Sequence, residues 1–145
     1  MRLRVPAVQH ASIDKHPRLI ARCSGVADVI AAVNFARANE LLTAIRGGGH
    51  NVGGRALCDD GIVIDLSGMR SVYVDSAKRT VRLEGGATLD DMDRETHVFG
   101  LAVPCGIVPK TGIGGLTLGG GVGWLVCPFE LLLRKRRMAR AAQAV

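Results

Sequence analysis

Gly47-Gly48-Gly49 follows an apolar run and directly precedes His50-Asn51, and a second stretch, Leu101 to Leu125, holds eight of the chain's 19 glycines. Glycine has no Cβ, so its backbone turns tightly and lets another backbone or a ligand come close. No three-residue period relates these glycines, which excludes a collagen-like chain. The fold must therefore be arranged around two backbone-lined loops, since neither stretch suits a helix or strand interior.

Three successive N–H groups clear of side chains make a nest for anionic oxygens, typically phosphate. Arg46, just before the nest, is expected to add positive charge. Taken alone, such a run also reads as a flexible turn. The second cluster, Gly112-Ile113-Gly114-Gly115 through Gly119-Gly120-Gly121-Val122-Gly123, weighs against that, because two such loops suggest one extended ligand touched from both sides. Neither common nucleotide loop is present. No GK[ST] occurs, and a GxGxxG reading starting at Gly47 and Gly49 puts Val52 at the third glycine position. The cradle belongs to a different fold, and His50 stands where its side chain would point at whatever the glycines hold.

The flanking sequence predicts α and β elements in alternation. Leu19 to Cys23 reads as a strand, and Ser24 as the cap of a helix over about Val26 to Asn39. That helix would bury Val26, Val29, Ile30, Val33 and Ala36. Leu42 to Arg46 is a second strand that ends on the glycine loop, a βαβ-like order with the loop at the carboxyl end of a strand, where α/β proteins tend to bind ligands. Ile62 to Leu66 is a third strand; Val72 to Asp75 and Thr80 to Glu84 form a half-buried hairpin, with Tyr73 read as packing. Thr88 caps a helix over about Leu89 to His97, packing through Leu89, Met92 and Val98 or Phe99. Residues 1 to 18 read as an irregular lead-in. From Leu101 to Leu125 no period survives, and the stretch reads as one long ligand loop.

The balance of 48% hydrophobic and 22% charged residues is that of a globular chain. Its net charge of +6 invites a nucleic-acid reading, but residues 126–145 carry +4 of it, leaving +2 for the body. With charge confined to a tail and five aromatic residues in all, a nucleic-acid partner is not expected. The four cysteines form no CxxC pair, so they read as free thiols and no metal site is expected. No run approaches the roughly 20 apolar residues of a membrane span and none marks a signal peptide, so no membrane partner and a cytoplasmic location are expected.

Three motifs in order carry a resemblance: Arg46-Gly47-Gly48-Gly49-His50-Asn51, then Gly85-Gly86-Ala87, then Pro109-Lys110-Thr111-Gly112 through Gly123-Trp124. Over roughly residues 17–125 the chain resembles the FAD-binding domain of the berberine-bridge and hydroxynicotine oxidase family, within the PCMH-type, vanillyl-alcohol oxidase flavoprotein superfamily. The resemblance implies an α+β fold: the domain's N-terminal subdomain, a small mixed sheet with flanking helices, plus part of the second. It implies FAD as cofactor, with binding residues Arg46, Gly47, Gly48, Gly49, His50, Asn51, Gly112, Gly114, Gly115, Thr117, Gly120, Gly121 and Gly123. It further implies a covalent bond from His50 to the flavin 8α-methyl, for which an imidazole is a competent nucleophile. Where many relatives add a cysteinyl bond to flavin C6, this chain has Val108 in Gly106-Ile107-Val108-Pro109, so one attachment at most is expected.

The expected function is FAD binding within a flavin-dependent oxidoreductase that passes a substrate hydride to FAD and then to oxygen. The alternative is a non-catalytic nucleotide-binding remnant or interaction module. The sequence offers no catalytic base, because Asp59, Asp60, Asp90 and Asp91 read as turn and helix-start residues. A small-molecule substrate is expected only for a full-length relative. Beyond Leu125 the resemblance stops, and a basic Arg-, Ala- and Leu-rich tail follows. A frameshift or misplaced gene boundary would produce such a change, as would a genuine amphipathic or nucleic-acid-binding tail.

Overall fold

The computed structural model of the chain describes residues 13–125. Strand β1 (Leu19–Arg22) leads through helix α1 (Val26–Ala38) to β2 (Thr43–Arg46), and β3 (Ile62–Asp65) inserts between the two, giving a parallel sheet of order β1-β3-β2. A central parallel strand is covered on both faces, which is why Ile62-Val63-Ile64 is an uninterrupted apolar run with all its residues buried. Ile64 packs with Cys23, Ala32 and Met69 beneath α1, while Val63 packs with Ala44, Leu57 and Cys58 on the opposite face.

Next come the antiparallel hairpin of β4 (Val72–Asp75) and β5 (Thr80–Leu83), helix α2 (Leu89–His97) and helix α3 (Ile113–Gly119). A third cluster joins these helices: Leu89, Met92, Cys105 and Ile113, with Leu83, Val103 and Leu116 packed against it. The strand directions are mixed, as expected of this α+β chain, and are divided between a parallel sheet and a separate hairpin.

Several local expectations are corrected. Gly25, in extended backbone, is the N-cap of α1; Ser24 instead donates through its N–H and Oγ to Asp28, at 2.8 and 2.7 Å. The inward stripe of α1 is the buried Ala32 and Ala36 with Val29 half-buried, whereas Val26 and Ile30 are 67% and 57% exposed and Val33 is exposed as well. Small alanines let α1 lie close against β3, and that proximity outranks the larger side chains. On α2 the buried residues are Leu89, Asp91, Met92 and Thr96, whose Oγ1 donates to the Met92 carbonyl at 2.9 Å; Val98 and Phe99 are exposed. Tyr73 is 68% exposed and packs into no core.

The largest correction is α3, which lies inside the stretch read as a loop. Three of its seven residues are glycine, a poor helical composition. Its packing accounts for it: Ile113 is buried against α2, and the Ile113 N–H donates to the Ala87 carbonyl at 2.8 Å. Residues 1–12, the start of the lead-in, and the tail 126–145 with its proposed frameshift lie outside the described residues.

Candidate functional site

The three glycine motifs meet at one place. A Cβ at Gly47 or at Gly114 would stand 2.8 Å from the Gly85 carbonyl oxygen, closer than side-chain carbons come to backbone. Gly48 and Gly112 exclude side chains from each other directly, each having the other's backbone where a Cβ would go. The glycines at 47, 48, 112 and 114 are thus required by contact of chain with chain. Gly49 has a different reason, a buried left-handed turn with φ of 71°.

Around this junction lies a cavity of about 350 Å³ lined by Ile45, Gly47, Gly48, Gly49, His50, Asn51, Arg55, Ala56, Thr111, Gly112, Gly115, Leu116 and Gly120. Eight of the thirteen residues expected to bind ligand are in that lining; Arg46, Gly114, Thr117, Gly121 and Gly123 are not. Gly114 is spent on the Gly85 contact, Thr117 is half-buried within α3, and Gly123 lies against the Cys105 carbonyl, beyond the Gly120 cap of α3.

Arg46 lies outside that lining and has a clear electrostatic partner. Its Nη1 donates to Asp65 Oδ1 at 2.9 Å, with both side chains largely buried. The strand register sets Arg46 opposite Asp65, so the guanidinium meets a carboxylate across the sheet. The cation in the cavity lining is Arg55, which the sequence reading passed over. Its backbone N–H donates to Asn51 Oδ1 at 3.0 Å, a bond that closes the 51–55 turn and brings Arg55 beside the glycine loop. Asn51 was visible as part of the motif; an arginine four residues on, in a segment without period, was not.

The second glycine segment is held by α2. Leu89 N–H donates to the Thr111 carbonyl and Asp90 N–H to the Pro109 carbonyl, both at 3.0 Å, while Thr88 and Gly112 form an antiparallel bridge. Thr88 is the N-cap of α2 in a reciprocal capping box with Asp91. Asp91 is buried, and hydrogen bonds from Arg70, ahead of those from Thr88, hold its carboxyl down at about 2.

A larger cavity, about 560 Å³, lies on the outer side of α2 between Asp90, Asp93, His97, Val103 and Trp124. None of the expected binding residues lines it, so size does not make it the candidate site. Among the described residues no group of three His, Cys, Asp or Glu is placed to hold a metal ion. No helix among them is long and apolar enough to cross a membrane.

A cavity floored by backbone, carrying one imidazole and one guanidinium and no carboxylate, suits an anionic ligand with a reactive ring system. Its volume is at the low end of ligand sites, which run from about 300 to 1,000 Å³, room for part of a dinucleotide and not the whole. The backbone at Gly115 leaves open space where a Cβ would be.

The sequence and fold match known proteins. A family described as FAD binding domain matches residues 17–135. An FAD-linked oxidoreductase of Dictyostelium discoideum is 47% identical over 109 residues, covering 75% of this chain and 24% of the relative. The solved structure of 6-hydroxy-D-nicotine oxidase from Arthrobacter nicotinovorans superposes with a TM-score of 0.84 at 40% identity, over 87% of this chain and 28% of that one. Glucooligosaccharide oxidase from Acremonium strictum, described with a 6-S-cysteinyl, 8α-N1-histidyl FAD, gives 0.78 at 31% identity over 83% and 26%. The chain spans about a quarter of the length of these relatives. It belongs to the FAD binding domain family, among the FAD-linked oxidoreductases that include hydroxynicotine oxidase and the berberine bridge type.

Proposed function

We propose that this chain binds FAD in the cavity between Gly47–Asn51 and Gly112–Gly120, with His50 as the point of covalent attachment through the flavin 8α position. The observation that carries the reading is the convergence of both glycine segments on one cavity whose wall includes His50. Gly49, Asn51 and Gly112 present backbone to the anionic part of the ligand, and Arg55 supplies positive charge there. Arg46, paired with Asp65, fixes the end of β2 from which the loop departs. Gly114 sets how closely α3 approaches that loop, and Thr117, Gly121 and Gly123 carry the chain past the cavity.

Val108, where relatives with a second bond have cysteine, offers no thiol, so His50 is the single attachment. When bound, FAD supplies a two-electron acceptor that takes hydride from a small-molecule substrate and gives its electrons to oxygen. The residues described here bind and orient that acceptor.

The test is the intact mass of the denatured full chain after incubation with FAD, followed by peptide mapping. One added FAD on the His50 peptide, absent from His50→Ala, is expected. FAD retained by His50→Ala, or mapped to another peptide, overturns the attachment.

A further inference from the structure

We propose that Arg70 and Asp91 are positioning residues for the FAD cradle, holding Thr88 so that the Gly112 segment stays docked against Gly48. The inference rests on the cavity described above being the FAD site.

Asp91 gathers four hydrogen bonds on one buried carboxylate. Arg70 donates through Nε at 2.9 Å and Nη2 at 2.6 Å, a two-pronged grip, and Thr88 donates through its backbone N–H and its Oγ1, both at 2.8 Å. The side chain of Asp91 is 7% exposed and that of Arg70 is 53%. A cap alone needs the Thr88–Asp91 box and not the arginine. The guanidinium adds a link from Arg70, two residues before β4, so the approach to the hairpin and the start of α2 are tied to one carboxylate.

What that link holds is the junction of the glycine motifs. Residues 87 to 90 hold the Pro109 to Ile113 segment by backbone contacts along its length: Ala87 through the Ile113 N–H, Thr88 through its bridge with Gly112, Leu89 through Thr111 and Asp90 through Pro109. On the other side, Gly86 N–H donates to the Met69 carbonyl at 3.0 Å, one residue from Arg70. Rotation or fraying of the first turn of α2 therefore moves Gly112 relative to Gly48, where the two backbones leave no slack. Neither Arg70 nor Asp91 lines the cavity. Their effect on the ligand runs through Thr88.

The test compares Arg70→Gln and Arg70→Lys with Val63→Ala, a core variant in the three-stranded sheet that lowers global stability without touching the junction. Amide exchange is measured on each full-length chain without ligand, and FAD affinity by fluorescence titration. Arg70→Gln is expected to speed exchange at Ile113 and Leu89 about tenfold or more relative to the sheet amide of Ile62, with Arg70→Lys falling between it and wild type. It is expected to weaken FAD binding by about tenfold, while Val63→Ala at equal folded fraction does not. Exchange at Ile113 and Leu89 that is unchanged, or faster only in step with Ile62, overturns the proposal. Locally faster exchange with unaltered FAD affinity overturns the link to FAD and places the fault in the assigned binding site; no FAD binding by wild type, with exchange as expected, does the same.

Discussion

Acidification against Asp91→Asn exposes the energy stored at the start of α2. Hydrogen bonds from Arg70 and Thr88 bring Asp91 from an ordinary value of 3.8 down to about 2. At about 1.4 kcal/mol per unit, that depression is worth about 2.5 kcal/mol at most, since Arg70, its main partner, is half exposed and solvent screens part of it. The sign follows from the folded value lying below the unfolded one. The contribution is complete above the unfolded value of roughly 3.9 and disappears as pH falls through about 2. Asparagine cannot titrate. Urea unfolding of wild type and Asp91→Asn, repeated from pH 6 to pH 2, cancels the other carboxylates in the difference. The gap between the two proteins should be widest at pH 6 and shrink by about 2 kcal/mol by pH 2. A gap independent of pH would refute the reasoning, because it would mean that the carboxylate's charge contributes nothing.

Gly112→Ala puts a methyl where the Gly48 backbone lies, and should cost about 1 to 3 kcal/mol in thermal unfolding and abolish FAD retention. Gly115→Ala meets nothing within 4 Å and sits inside α3, so it should stabilise the ligand-free chain by about 0.5 to 1 kcal/mol. The same change should weaken FAD binding in a fluorescence titration, since Gly115 lines the cavity. Burial, the leading cause, raises the thiols of Cys23 and Cys58 above their ordinary value, and Cys105 is buried as well. In the native chain all three should react with a disulfide reagent far more slowly than after unfolding, as counted by released thiolate.

The sequence made the strands legible because each is a short apolar run bounded by turn residues, and it made α2 legible because Thr88 and the acids after it are a capping signature. The three glycine motifs were legible as a set, and the structure brings them together at Gly85. Other features depend on contacts that no local pattern encodes. The buried face of α1 follows from how closely Ala32 and Ala36 approach β3, which hydrophobicity alone does not rank. Helix α3 exists against its own propensity because the backbone bonds of Ala87 to Asp90 dock the chain at Gly112. Arg46 reads as a loop cation until the parallel register places Asp65 beside it, and Arg55 reads as nothing until Asn51 turns the chain back.

The most direct test of the account is a map of amide protection on the full chain with and without FAD. Protection gained at Gly47–Asn51 and Gly112–Gly120 together, and not on the outer side of α2 around Asp93, His97 and Val103, is the predicted result. Protection confined to that outer cavity, or to one glycine segment alone, would contradict the claim that the two loops close on a single FAD.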